Sequence, residues 1–306
     1  MKAYVFPGQG SQSVGMGEGL FEKYSDLTKK ADEILGYSIQ SLCLSDPNEV
    51  LNLTQYTQPA LYVVNAFMYY EYVKEHGEPD YLAGHSLGEY NALLAGGAFD
   101  FETGLKLVKL RAELMGKVKD GGMAAILHLE EEKIRQVIKE KRLDSIDIAN
   151  LNSPSQIVIS GPVDALKDAE QYFIEAGALK YVMLKVSGAF HSRYMKVAGD
   201  ELGTFFDTLS VGRLRIPVIA NVNARPYRQS DIKRNLIEQL SSSVRWTETI
   251  RYLMGKEVED IIQIGPGNVL TGLTRQIKRL AKPLIVEGEP IETEPVEQKP
   301  ALEEYI

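Results

Sequence analysis

Apolar residues near the start of the chain form a short run and then recur at helical spacing. "KAYVF" (2–6) breaks into the glycine-rich "PGQGSQ", which predicts a strand entering a loop. Amphipathic stretches at 19–35 and 59–75 follow, separated by "CLSDPNEVLNL". "PDYLAGHS" predicts a second short strand, and "LGEYNALLAGGAF" a helix directly after Ser86. In 101–118, Leu105, Val108 and Leu114 supply the apolar positions of an amphipathic helix that "DGG" at 120–122 should end.

From 123 the pattern shifts to strand, helix, two strands, helix, strand: "MAAILHL", "EEEKIRQVIKEKR", "IDIANLN", "QIVISG", "VDALKDAEQYFIEAG" and "KYVMLKV". That βαββαβ order describes a ferredoxin-like unit. It predicts a small domain at 124–188 inserted into a larger, discontinuous α/β domain formed by 1–123 and 189–282. The larger body resumes with a helix at 191–208 and a strand at 216–222. Helices near 230–240 and 247–255 follow, then a strand at 261–265 and a helix opened by Pro266 and Gly267. Residues 283–306 are rich in Pro and Glu with little periodicity, the composition of a linker or disordered tail.

Composition narrows the field. The 306 residues carry a net charge of -8, which argues against broad attraction to nucleic acid or anionic membrane. The single cysteine, Cys43, allows neither an internal disulfide nor a cysteine metal cluster. "MKAYVFPGQG" lacks the apolar core of a signal peptide. The stretch from Pro59 to Val73 is interrupted by Asn65 and Glu71, so it reads as a buried helix and not a membrane span. The cytoplasm is the expected location.

The candidate chemistry centres on Gly84-His85-Ser86-Leu87-Gly88. In G-x-S-x-G, flanking glycines remove the Cβ atoms that would clash in a sharp strand-to-helix turn, and the serine hydroxyl is left exposed. The alternative is a plain small-residue turn. A nucleophilic serine needs a base, and the chain has four histidines. His76 lies in the polar "KEHGEPD" and His128 in the strand "ILHLEE". His85, on the tight turn itself, is better suited to supporting a pocket. His191, in "SGAFHSRYM", follows a small-residue loop and is favoured by elimination, with an ordinary loop histidine as the alternative. Arg111 would ordinarily be a solvated helix charge.

"FPGQGSQ" (6–12), "YTQPAL" (56–61), "GHSLGEY" (84–90), "LVKLRAELM" (107–115), "NSPSQIVISG" (152–161), "GAFHS" (188–192), "VRWTETIRYL" (244–253) and "IGPGNVLTGL" (264–273) occur together and in order. From about residue 2 to 282 the chain resembles the malonyl-CoA:acyl carrier protein transacylase family. "GYSIQSLC", "SGAFHSRYM" and "RWTETIRYLMGK" are most similar to free-standing acyltransferases that serve polyketide synthases lacking built-in acyltransferase domains. The resemblance implies an α/β-hydrolase-like large domain carrying the ferredoxin-like insertion. It also implies Ser86 as acyl carrier, His191 as general base and acid, and a backbone carbonyl at Gln239 orienting the imidazole in place of a carboxylate. The N–H groups of Gln9 and Leu87 would form the oxyanion hole, for which Gly8 and Gly10 permit close approach.

By the same resemblance Arg111 would grip the malonyl carboxylate with both arms of its fork, a geometry lysine does not reproduce. Gln58, His85, Asn152 and Gln156 would lie near the acyl or thioester end. Phe190 would fill the pocket so that malonyl is favoured over methylmalonyl. The expected reaction passes malonyl from malonyl-CoA to the phosphopantetheine thiol of a carrier protein, without metal or redox cofactor, on a monomeric catalytic unit. Carrier proteins of this type are acidic, so docking calls for a local basic face. Lys106, Lys109 and Lys117 form one candidate; Arg275, Lys278, Arg279 and Lys282 form the other. A fatty-acid role, an acyl hydrolase on the same scaffold and an inactive carrier-binding scaffold are the alternatives.

Overall fold

The chain intersperses strands with helices, and in a computed structural model, which describes residues 1–288 and 291–293, it forms two four-stranded sheets. Strand β1 (Lys2–Phe6) is followed by helices α1 (Leu20–Lys23), α2 (Ser25–Leu35), α3 (Ile39–Leu44) and α4 (Thr54–His76). Next come β2 (Tyr81–Gly84), α5 (Gly88–Gly96) and α6 (Phe101–Lys117). The middle of the chain holds β3 (Gly121–Leu127), α7 (Glu131–Glu140), β4 (Asp147–Ser153), β5 (Gln156–Pro162), α8 (Val163–Glu175) and β6 (Lys180–Met183). The remainder supplies α9 (Lys196–Phe206), β7 (Val218–Ile219), α10 (Ile232–Gln239), α11 (Trp246–Gly255), β8 (Asp260–Gln263) and α12 (Val269–Leu280). The protein is α/β.

The first sheet runs β7-β2-β1-β8 with all neighbours parallel. Parallel neighbours need crossover connections, so both faces are covered by helices. Alternate side chains of one strand therefore enter different cores. Tyr4 and Phe6 join the cluster under α4 and α5, whereas Ala3 and Val5 join Trp246, Ile250 and Ile277 on the opposite face. β1 and β2 end side by side, Phe6 paired with Gly84, which brings the glycine loop at 7–12 against the turn holding Ser86.

The second sheet runs β4-β5-β3-β6 with every neighbour antiparallel. One face packs Ile126, Ile148 and Ile159 against Ile134 of α7 and Leu166 and Phe173 of α8. Met123, Ala125 and Val158 on the other face join the main core, which turns that face toward the site.

Several expected boundaries shift. The stretch 19–35 breaks at Tyr24 into two helices, and the helix expected at 59–75 starts at Thr54, carrying Pro59 in its second turn. β3 starts at Gly121, so a boundary at 123/124 cuts through a strand; both glycines pair with β5 instead of ending a helix. A Cβ at Gly121 would lie 2.4 Å from the Ala189 nitrogen, which explains the residue. His128 lies beyond the strand, exposed at φ 59°, and His76 ends α4, stacked on Tyr72. β7 is only two residues long, because the chain turns back at once: Ala220 N–H donates to the Arg225 carbonyl and Tyr227 N–H to that of Val218. β6 stops at Met183, and the helix expected at 191–208 is a short 3₁₀ turn followed by α9. Of the tail, Leu284 N–H donates to the Arg251 carbonyl and Val286 packs on the second core, so this part is docked on α11. Residues 289–290 and 294–306 lie outside the described residues. Among the described residues no helix is long and apolar enough to cross a membrane.

Helices α4 and α6 set the base of the site. Tyr62 faces Gly104 and Gln58 faces Arg111, so the two helices run antiparallel. A Cβ at Gly104 would stand 2.0 Å from the Tyr62 hydroxyl. Gly104→Val therefore overpacks this contact, and urea unfolding should show a loss of about 1–3 kcal/mol.

Candidate active site

Ser86 occupies the turn between β2 and α5 with φ 52°, left-handed backbone that a non-glycine residue adopts at a cost. The flanking glycines make that turn possible. A Cβ at Gly84 would lie 2.0 Å from the Gly88 carbonyl carbon, and one at Gly88 would lie 2.0 Å from the Phe6 oxygen. Ser86 N–H donates to Asn221 Oδ1 at 2.7 Å, and Asn221 Nδ2 donates to the Gly84 carbonyl at 2.6 Å, so one side chain braces both sides of the turn.

Ser86 Oγ is 2.7 Å from His191 Nε2. His191 Nδ1 is 2.8 Å from the Gln239 carbonyl oxygen, which can only accept. The proton is therefore on Nδ1, and Nε2 presents a lone pair to the serine. Burial, and then the charge of Arg111, hold the His191 imidazole down to about 3, so it is neutral at ordinary pH. His191 also sits in left-handed backbone, φ 56°.

Arg111 is 1% exposed. It donates from Nη1 to Gln58 Oε1 at 2.6 Å, and from Nη2 to Gln239 Oε1 at 2.8 Å and Ser86 Oγ at 3.0 Å. Its guanidinium lies over the Tyr90 ring. Every hydrogen-bond partner is a neutral oxygen; among the described residues no carboxylate is within ion-pairing distance. A buried cation in that state is expensive unless an anion joins it.

The loop after β1 closes the other side. A Cβ at Gly8 would be 2.4 Å from the His85 carbonyl oxygen and 3.6 Å from the Leu87 nitrogen, so only glycine lets the two turns meet. Gln9 and Leu87 line the same pocket. Asn65 secures the loop by donating to the Pro7 carbonyl at 3.0 Å. His85 Nε2 donates to Asn152 Oδ1 at 2.8 Å while its ring edge meets Trp246, and burial lowers its basicity. Asn152 lines the pocket; Gln156 stands behind it, accepting from Asn152 Nδ2 at 3.1 Å. Phe190 forms part of the wall with Met115, Met123 and Val158, and α12 contributes Val269, Leu270 and Leu273.

All eleven residues named for the site thus lie in or against one pocket. The basic residues are farther out and unequal. Lys106 pairs with Glu102 and Lys109 donates to the Ile34 carbonyl, while Lys117, Arg275, Arg279 and Lys282 are exposed. Lys278 donates to the Glu259 carbonyl.

Sequence reasoning missed Asn221, Glu89 and the side chain of Gln239. Glu89 is buried, accepting from Tyr227, from the Asn221 N–H and from Gln239. Burial pushes its carboxyl up to about 7 against the pull of those donors and of Arg111. An acidic residue in the first turn of α5 reads as an ordinary helix-start charge. The available signal was Asn221, a polar residue within the apolar "IPVIANV".

The acyl transferase domain family matches residues 3–287, and the chain belongs to that family. The chain is 52% identical over 284 residues to the polyketide biosynthesis malonyl CoA-acyl carrier protein transacylase PksC of Bacillus subtilis (strain 168), covering 92% of this chain and 99% of PksC. It is 54% identical over 286 residues to the polyketide biosynthesis protein PksE of the same organism, but covers 93% of this chain and spans only 37% of that relative's length. Among solved structures, a malonyl CoA-acyl carrier protein transacylase from Burkholderia pseudomallei superposes with a TM-score of 0.88 at 48% identity, covering 92% of this chain and 99% of that one. A transacylase solved with its type II polyketide acyl-carrier protein, PlMCAT:AntF, gives a TM-score of 0.86 at 36% identity, covering 92% and 94%.

If Arg111 depresses His191 as the geometry indicates, Arg111→Met should raise the His191 pKa from about 3 while burial, the larger cause, keeps it below its ordinary value. Titrating the imidazole by NMR checks this; an unmoved value would show that the guanidinium has no influence on the base.

Proposed function

We propose that this chain is a malonyl-CoA:acyl carrier protein malonyltransferase acting in polyketide biosynthesis. The carrying observation is Arg111, a buried guanidinium without a carboxylate partner, 3.0 Å from the candidate nucleophile. Such a group is complementary to an acyl chain that ends in a carboxylate. A hydrolase of neutral acyl groups gains nothing from it. The polyketide assignment is supported by relatives carrying that description at 50–54% identity, against 42% and 41% for two named simply as malonyl CoA-acyl carrier protein transacylases.

In the proposed reaction Ser86 Oγ attacks the thioester carbonyl as its proton passes to His191 Nε2. The oxyanion that forms is met by the N–H groups of Gln9 and Leu87. Collapse breaks the carbon–sulfur bond, and His191 returns the proton to the departing CoA thiolate. The phosphopantetheine thiol then gives its proton to His191 and attacks the malonyl-Ser86 ester. Ser86 leaves and recovers the proton. The Gln239 carbonyl holds the imidazole throughout, as the carboxylate of a triad would. Gln58 fixes Arg111, and Asn152, supported by Gln156 and His85, faces the incoming arm. The resident residues need no metal or redox cofactor for these steps.

The finer fold description belongs to the same reading: an α/β-hydrolase-like large domain, with a ferredoxin-like domain inserted at about 121–188. The parallel sheet with Ser86 at the end of β2 supports the first part. The βαββαβ order and the antiparallel arrangement β4-β5-β3-β6 support the second. For an acidic carrier protein, α12 is the better-placed basic face, since its first turns border the pocket and its Arg275 and Arg279 are exposed.

Mixing the protein with malonyl-CoA and measuring its intact mass should reveal one malonyl adduct, absent in Ser86→Ala. Arg111→Ala should cut malonyl loading by about 30- to several-thousand-fold, the cost of unpairing a desolvated charge, and acetyl loading far less. Equal loading of the two acyl groups by the unmodified protein would overturn the assignment. Phe190→Ala should shift the preference toward methylmalonyl by roughly tenfold or more, as one methyl group is worth about 1–3 kcal/mol.

A further inference from the structure

Glu89 lies three residues after the nucleophile and is 1% exposed. Its Oε1 accepts from the Asn221 N–H at 2.8 Å and from the Tyr227 hydroxyl at 2.7 Å, and its Oε2 accepts from Gln239 Nε2. Two of these donors lead straight into the site. Asn221 braces the Ser86 turn through its side chain. Gln239 accepts from Arg111 with its side-chain oxygen at 2.8 Å, donates to the Ser86 carbonyl at 2.8 Å, and accepts from His191 with its main-chain oxygen at 2.8 Å.

The neighbours dictate which way the Gln239 amide faces. A guanidinium only donates, so the amide oxygen must face Arg111. The Ser86 carbonyl only accepts, so the amide nitrogen must face Ser86. That leaves one further N–H, buried and in need of an acceptor, and Glu89 Oε2 supplies it. Reversing the amide would set nitrogen against guanidinium and oxygen against carbonyl. The Glu89 carboxyl therefore holds the amide oxygen on Arg111 from one side chain away without itself taking a guanidinium donor, and Arg111 Nε has no hydrogen-bond partner among the described residues.

We infer that Glu89 is a positioning residue for acyl selectivity, acting through Gln239 to hold Arg111 where a substrate carboxylate can reach it. This rests on the reading of Arg111 as the carboxylate-binding group. Direct pairing of Glu89 with Arg111 would compete with substrate. The interposed glutamine avoids this, because its oxygen orients the guanidinium without neutralising it.

The test compares kcat/KM for malonyl and acetyl loading. In Glu89→Gln a carboxamide replaces the carboxylate, and its NH2 must face a donor, either Asn221 N–H or Gln239 Nε2. The malonyl-to-acetyl ratio should fall about ten- to a hundredfold, the worth of a buried hydrogen bond to a charged group. A purely structural role would lower both substrates alike and leave the ratio unchanged, which would overturn the inference. Gln239→Met serves where Glu89→Gln does not fold, since it breaks the same relay and retains the main-chain carbonyl that orients His191; the ratio should fall in the same way. In an Arg111→Ala background, Glu89→Gln should change the ratio no further, and an additive loss would refute action through Arg111. If Arg111→Ala itself keeps the ratio, the carboxylate-binding reading fails and this inference with it. If Arg111→Ala lowers the ratio but Glu89→Gln and Gln239→Met do not, only the inference fails.

Discussion

Burying the Arg111 guanidinium is the constraint on which the rest of the site depends. Removing a cation from water costs several kcal/mol even after relaxation, and the fold offsets this without a contacting carboxylate. Gln58, Gln239 and Ser86 each turn an oxygen toward it, and Tyr90 offers a ring face. Those partners come from α4, α10, and the Ser86 turn with the α5 that continues it, so the packing of three separate segments against α6 is tied to one charge. The close approach of α4 to α6 at Gly104 belongs to the same arrangement, because it brings Gln58 within reach.

A second constraint is steric. The ends of β1 and β2 must lie side by side for the Gly8–Gln9 backbone to reach the Ser86 turn. Phe6 and His85 accordingly share a backbone hydrogen bond of 2.9 Å, and glycine at 8, 84 and 88 removes atoms that would otherwise overlap neighbouring backbone. Ser86 and His191 both sit in left-handed backbone and each is tied to a distant segment: the Ser86 N–H to Asn221, and the His191 ring to the Gln239 carbonyl. The second sheet completes the enclosure. Its inward face contributes Met123 and Val158 to the apolar wall and Asn152 to the polar lining of the pocket.

On the proposed reading, these features suit chemistry on a small carboxylated acyl group. His191 is neutral, and its Nε2 lone pair meets a serine hydroxyl that also accepts from a cation. On the proposed reading of Arg111, a substrate carboxylate held there would relieve the charge that depresses the base and would couple substrate binding to base strength. The chain belongs to the acyl transferase family, and relatives such as PksC bear transacylase names.

What the sequence determined by itself was local. The turn around Ser86 was legible because its physics lies within five residues, and the βαββαβ order because each element announces itself by period and punctuation. The adjacent glycines at 121 and 122 carry the punctuation of a helix stop, yet they begin a strand because they pair with β5, and Gly121 is glycine because Ala189 crowds it. "IPVIANV" read as a full strand, but the backbone bond from Ala220 to Arg225 turns it after two residues. His191 was singled out by a count of histidines and by resemblance, since no local pattern joins it to a serine 105 residues away. Arg111 in isolation is one more helix charge. That it is buried, that Gln239 reaches it across 128 residues, and that Glu89 stands behind that glutamine were decided only by tertiary structure. Hydrogen bonds between distant segments leave no periodic trace in the chain, because each needs only one polar residue in an otherwise apolar setting.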